Sequence, residues 1–360
     1  MTGGAPVRAE ELSNFVAIVL ESVGVPDDIA HHTAGYIVDA DLYGIHTHGV
    51  DMLPAYHAGY VRRELDASAR PEVIHEFAAV RVVEGNNGLG FEPSRIAMGG
   101  AIESARTFGV GIATVRGSNH FGIAGHWTRQ AVSAGMIGFA TTNGPPVMGP
   151  WGSRDILFCN NPISWGIPAD RQPAVIFDVA CTASSRGKIR LAAQSGEPIP
   201  GGWAIDSEGH ATTDPKAALD GVLLPFAEHK GSGFAIVNEL LSSSLSAARA
   251  LTAVPAITPS SHGYHPSWQI GHFFMAVDPG AFGPREDVVE RIDSVIEQIR
   301  HANPVPGVDS VRVPGEASAE RKAAVDSDGI VLPEGVRSKV ARFARASGFE
   351  ETLPADLGAP

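Results

Sequence analysis

Short β-branched runs alternate with stretches of helical periodicity between residues 76 and 282, while both ends of the chain carry helical periodicity alone. AAVRVVEG (78–85), VGIATV (110–115), MIGFATTN (136–143), NPISWGIP (161–168) and AVIFDVA (174–180) read as strands. Helices are expected near 93–107, 123–135, 183–194 and 230–249, and HFFMAVDPGAFG (272–283) reads as a last strand and turn. That alternation restricts the middle of the chain to an α/β or α+β architecture. At the N-terminal end Leu12, Phe15, Val16, Val19, Leu20 and Val23 keep a 3.6-residue period that Gly24 closes. Pro26-Asp27-Asp28 opens a second helix running to about Leu42. Towards the other end Val288, Val289, Ile292, Val295, Ile296 and Ile299 share one helix face, and a final helix covers about 333–346. The gap 200–228 carries Trp203 and no clear period, so it reads as an ordered loop region. The expected divisions are a helical lobe (1–75), a central α/β domain (76–282) and a helical C-terminal segment (283–360).

Charge and composition exclude several functions. A net charge of −13 argues against a binder of nucleic-acid backbone, which needs a basic stripe. No apolar run approaches the roughly 20 residues of a spanning helix, so no membrane partner is expected. MTGGAPVRAEELSNF has neither a basic n-region nor an apolar h-region, so no secretory signal is expected. Two cysteines, Cys159 and Cys181, make neither a disulfide framework nor a thiolate zinc site, and a cytoplasmic, reduced setting is the simple reading.

The segment most suggestive of a site is VRGSNHFGIAGHW (115–127): a strand, then a glycine-rich polar loop, then a helix start. Such a layout points backbone N–H groups at a ligand. Yet no G-x-G-x-x-G, Walker A, H-E-x-x-H or G-x-S-x-G pattern occurs. The paired histidines His31/His32, His46/His48 and His262/His265 lack carboxylates at metal spacing, so no metal is expected. His48 stands out beside Thr47, whose hydroxyl can orient an imidazole, and histidine is the natural proton carrier near neutrality. The competing reading is a loop histidine that caps a backbone group; His120 has the same two readings. Lys230 at a helix start fits a bound phosphate or a solvated side chain. Asp178, ending an apolar strand, fits a functional group or an N-cap.

Taken in order, several motifs resemble one family. THGV (47–50) and RGSNHFG (116–122) are similar to its S-H-G and S-N-H-F-G. TTNGPPVMGPWG (141–152) and NNPISWGIP (160–168) resemble its T-T-N and T-N-P segments. FDVA (177–180) with RGK (186–188), IPGGWAIDSEGHATTDP (199–215), HKGSGFAIVNELLS (229–242) and VPGE (313–316) follow its later motifs. The family is the malate/L-lactate dehydrogenase-like one, of the second type. It includes sulfolactate, ureidoglycolate and diketogulonate oxidoreductases and Δ1-piperideine-2-carboxylate reductases. The resemblance covers about residues 8–345.

The resemblance implies a non-Rossmann NAD(P)-binding mixed sheet with flanking helices, plus a helical lobe built from both chain ends. It implies NAD or NADP as cofactor, a small-molecule substrate, and a homodimer with the site near the subunit interface. His120, Phe121, Gly122, Ile123 and Ala124 are expected along the nicotinamide. Gly144, Asp178, Val179, Ala180, Lys230, Pro314, Gly315 and Glu316 are expected as further cofactor contacts. The implied reaction moves hydride between nicotinamide C4 and a C=O or C=N carbon of a 2-oxo acid or cyclic imine, while a histidine supplies or takes the proton. His48, set by Thr47, is the first candidate for that proton, and His120 is the second. Two expected substrate positions depart from the family: Met52 replaces a carboxylate-clamping arginine, and Asn160 replaces a threonine. Either another cation takes over, with Arg62, Arg63 and Arg190 nearest in sequence, or the substrate lacks the usual carboxylate. A non-catalytic cofactor-binding homologue is the remaining alternative.

Overall fold

A computed structural model describes residues 5–256 and 268–358, so the His262/His265 pair lies outside the described residues. In chain order the N-terminal lobe holds α1 (Ala9–Ser22), α2 (Asp27–Leu42) and α3 (Leu53–Val61). Next come β1 (Glu72–Phe77), β2 (Val80–Glu84), α4 (Phe91–Phe108), β3 (Val110–Ser118), α5 (Ala124–Ser133), β4 (Ile137–Thr142), β5 (Ile163–Ile167) and β6 (Val175–Val179). The helix expected over 183–194 is α6 (Arg186–Ser195), and the stretch read as a loop contains short elements: β7 (Ala204–Ile205), α7 (Pro215–Asp220) and β8 (Val222–Leu223), with β7 paired to β8. The remainder is α8 (His229–Glu239), β9 (Ile270–Val277), α9 (Arg285–Arg300), α10 (Glu316–Asp328) and α11 (Glu334–Ser347). Among the described residues no helix is long and apolar enough to cross a membrane.

Seven strands form one mixed sheet in the order β1-β2-β3-β9-β4-β5-β6. Only the β2–β3 pair is parallel, with α4 as its crossover; every other pair is antiparallel. The late strand β9 enters the centre between β3 and β4, so the sheet closes only after most of the chain has been made. Helices α4 and α5 cover one face, where Phe274 of β9 meets Trp127 of α5 with ring centroids 6.2 Å apart. On the other face Phe139, Ile163 and Phe273 form a smaller cluster with Leu241.

The chain ends form a common lobe. Val7 and Ile330 exchange backbone hydrogen bonds, Arg337 donates to the Ala5 and Asp356 carbonyls, and Lys322 of α10 pairs with Asp39 of α2 at 2.6 Å. Helix α9 instead lies against the β5–β6 turn, where the buried Asp293 carboxylate accepts the N–H groups of Asp170, Arg171 and Gln172.

The helix expected over 230–249 stops at Glu239 and widens into a π-helical turn, Leu240–Ser244. Serine hydroxyls turned back onto the helix carbonyls explain the change, with Ser243 donating to Glu239 O at 2.6 Å. Because Phe274 is fully buried at the sheet centre, Phe274→Ala should cost about 3–5 kcal/mol in denaturant unfolding. A loss below about 1 kcal/mol would contradict this account of the core.

Candidate active site

A cavity of about 590 Å³ opens where the helical lobe, the ends of β3, β4 and β6, and the start of α6 meet. Its two histidines arrive from different elements. His48 lies in a tight helical turn (His46–His48) that continues into a second one (Val50–Met52). These turns are stapled from below by Asp41 of α2, a buried carboxylate that accepts from His46 Nδ1 and from Val50 N–H, each at 2.8 Å. Burial pushes the Asp41 carboxyl above its ordinary value, against the opposing pull of those two contacts. From the far end of the chain, Lys339 of α11 donates to the Asp51 carbonyl and carboxylate, holding the turn beside Met52.

His120 belongs to the loop between β3 and α5. The buried Asn119 amide donates to Asn87 and to the Gly88 carbonyl, and Gly90 N–H donates to the His120 carbonyl at 2.9 Å. Phe121 stacks on His272, centroids 4.7 Å apart, and His272 is held by Thr142 and Ser118 on its two nitrogens. Gly122 has φ +78°, and a Cβ there would sit 2.7 Å from the Phe91 ring, so only glycine lets the loop turn into α5.

The two imidazoles face each other with centroids 5.5 Å apart. His48 Nδ1 lies 3.0 Å from the Thr47 hydroxyl, and His120 Nδ1 lies 2.7 Å from the buried Tyr56 hydroxyl. Among the described residues neither Nε2 has a hydrogen bond. Loss of hydration pushes His48 down to about 4; the same effect, reinforced by neighbouring His48, pushes His120 down to about 3. Both rings are therefore neutral at pH 7.

The cavity gathers His48, Met52 and Asn160, the loop residues His120, Phe121 and Gly122, and on other walls Gly144, Asp178, Val179 and Ala180. Thr47 stands behind His48, and Ile123 and Ala124 are buried at the start of α5. Besides those three, which stand behind the lining, four expected positions do not line the cavity. Lys230 is exposed at the start of α8. Pro314 and Gly315 pack behind β6, with the Pro314 carbonyl accepting from Ile176 N–H, and Glu316 pairs with Arg300. Asp178 accepts from Gly125 N–H at 2.8 Å, so it caps α5 while facing the cavity.

Sequence reading overlooked several contributors. Arg186 and Lys188 line the cavity, whereas Arg62, Arg63 and Arg190 are exposed outside it. Beneath the floor, the buried Glu239 carboxylate accepts from the Asn143 and Asn161 amides and from Leu251 N–H, tying together the loops after β4 and before β5. Cys159 fills the space beside Gly144, where a Cβ would lie 2.9 Å from its sulfur, and burial lifts its thiol to about 11. An apolar-walled cavity of this size, with a few convergent polar groups, is of the kind that takes small molecules and cofactors.

Residues 7–341 match the family model described as malate/L-lactate dehydrogenase. The (2R)-3-sulfolactate dehydrogenase (NADP(+)) of Chromohalobacter salexigens is 33% identical over 342 residues, covering 94% of this chain and 98% of that protein. The structure of sulfolactate dehydrogenase from Methanocaldococcus jannaschii superposes with a TM-score of 0.88 at 31% identity, covering 95% and 97% of the two chains. The Δ1-piperideine-2-carboxylate reductase of Pseudomonas syringae pvar. tomato gives 0.83 at 27% identity, covering 94% and 99%.

Asp41→Ala should cost about 1–3 kcal/mol of stability, since it leaves Val50 N–H buried without an acceptor. It should also lower turnover by loosening the His48 turn; unchanged stability and turnover would contradict the stapling role.

Proposed function

The chain belongs to the malate/L-lactate dehydrogenase family and is an oxidoreductase, and we propose that His48 is its proton carrier in the interconversion of a small 2-hydroxy and 2-oxo acid, or of a cyclic amine and imine. The observation that carries this reading is the opposed pair of imidazoles, each fixed at Nδ1 and each leaving Nε2 to the cavity. The loop backbone at Gly122 and the wall Asp178–Ala180, both lining the cavity, suit NAD or NADP. When bound, that cofactor supplies the hydride chemistry.

The two histidines divide the remaining work. With Nδ1–H donating to the Thr47 hydroxyl, His48 keeps the Nε2 lone pair and takes the substrate hydroxyl proton in oxidation; it returns that proton in reduction. Thr47 then remains the acceptor for Nδ1–H of the imidazolium, so charge appears on His48 without any loss of hydrogen bonding. Tyr56, buried and therefore in need of an acceptor, donates to His120 Nδ1. That leaves His120 Nε2–H to donate to the reacting oxygen or nitrogen, a role that a neutral imidazole fills without competing for the proton.

We further propose that the protein is a homodimer. Trp165 and Phe177 on the outer sheet face, and Phe234, Val237 and Leu240 around α8, are large exposed apolar side chains that a second copy would cover. The free thiols of Cys159 and Cys181 suit a reduced, cytoplasmic setting.

His48→Asn should reduce turnover by about 10²–10⁴-fold while NADH or NADPH affinity stays within about twofold. Parallel loss of cofactor binding would contradict the proton-carrier role. The pH profile gives a second check. The depressed value keeps His48 in its base form down to low pH, so kcat/KM for oxidation should stay level through 6.5 and fall only as pH drops through about 4. A half-fall near the ordinary value of about 6.5 would contradict the assignment.

A further inference from the structure

The cavity contains two cations with no carboxylate partner among the described residues. Arg186 and Lys188 both stand in the first turn of α6 and both line the cavity. Arg186 spends one guanidinium nitrogen on the Leu219 carbonyl, at 2.7 Å, and Lys188 is exposed at the mouth. The turn itself is short of acceptors. Ser185 caps α6 by accepting from Lys188 N–H at 3.2 Å, and its carbonyl takes Ile189 N–H. The N–H groups of Arg186 and Gly187 are left as donors at the positive end of a ten-residue helix.

An independent feature lies just ahead of this turn. Ser184 is 7% exposed and lines the cavity, yet its hydroxyl oxygen is buried without any hydrogen-bond partner. A buried orphan hydroxyl is costly unless something enters to satisfy it. Two cations without a carboxylate partner among the described residues, free helix donors and an unsatisfied hydroxyl at one end of a cavity call for the same kind of occupant, a compact anion rich in acceptors. Met52, on the same cavity, offers only a thioether and cannot pair with one.

We propose that the first turn of α6 is the anion subsite of this cavity, in which Lys188, assisted by Arg186 and the Ser184 hydroxyl, holds the carboxylate of the substrate. The proposal rests on the functional reading above and narrows it to substrates that carry a carboxylate. Because an acidic substrate and a cofactor phosphate present the same chemistry to this turn, the test separates them.

Oxalate, a planar dicarboxylate, serves as the substrate-side probe, and NADH as the cofactor-side probe. Calorimetric titration of the full chain with each, and of the NADH-loaded protein with oxalate, gives the dissociation constants. Lys188→Met should weaken oxalate about tenfold or more, and Lys188→Arg should restore it to within a few-fold. Ser184→Ala should weaken it several-fold, and NADH affinity should stay within about twofold in all three variants. The exposed position of Lys188 makes its two variants safe for folding, and Ser184→Ala removes only a hydroxyl that has no hydrogen-bond partner among the described residues. Oxalate affinity indifferent to Lys188→Met, or an equal loss of NADH affinity, overturns the proposal, the latter by assigning the turn to a cofactor phosphate. Should NADH fail to bind the wild-type chain while oxalate still depends on Lys188, the subsite stands and the dehydrogenase reading falls. No binding of oxalate to the wild-type chain, with or without NADH, overturns the subsite alone.

Discussion

The 2.7 Å hydrogen bond between the Tyr56 hydroxyl and His120 Nδ1 joins the two halves of this site. Tyr56 comes from α3 in the lobe made by the chain ends, and His120 comes from the loop leaving the central sheet. Neither half makes a site by itself. The sheet supplies a loop already shaped by Asn119, Gly122 and the Phe121–His272 stack, and the helical lobe supplies the His48 turn stapled on Asp41. Only when α3 docks do the two imidazoles face one another across the cavity. The lobe in turn depends on both chain ends, since Lys339 near the C-terminus holds Asp51 in the turn that follows His48.

A second constraint is electrostatic. Three histidines, His48, His120 and His272, gather around this region, and their poor hydration drives all three values down. The neutral rings divide into one that only supports, His272, with both nitrogens occupied, and two, His48 and His120, whose Nε2 has no hydrogen bond among the described residues. The chain carries a net charge of −13, yet its cavity wall presents Arg186 and Lys188, which have no carboxylate partner among the described residues. Local charge at the site thus runs against the charge of the whole, which is how a cleft concentrates anions.

Much of the fold was legible because it rests on local periodicity. The apolar stripe of α1, the strand runs at 110–115, 136–143 and 174–180, and the stripe of α9 all lie where the residues put them. Elements without such a stripe escaped. Strand β1 is exposed at every position, and α10 (EASAERKAAVDSD) carries no apolar face to read. The helix expected to run to 249 broke at Glu239, because serine side chains compete for its carbonyls. Within the site, His48 and His120 were readable from motifs and the cavity brings them together. Tyr56, His272 and Glu239 were not, because their meaning lies in partners far away in sequence, such as His272 with Thr142, 130 positions apart; Asp41 has near partners, His46 and Val50, but only the turn that folds back over it brings them together. The cations nearest Met52 in sequence, Arg62 and Arg63, are exposed outside the cavity, while Arg186 and Lys188 reach it through the fold.

The central claim is that this cavity brings a nicotinamide cofactor and a reducible C=O or C=N group together over His48 and His120. The most direct measurement is the nicotinamide absorbance band of purified protein mixed with NADH or NADPH and offered pooled 2-oxo acids, then pooled cyclic imines. The account predicts that the band decays with one of the pools. Absence of binding by either nucleotide, with no decay in any mixture, would contradict it.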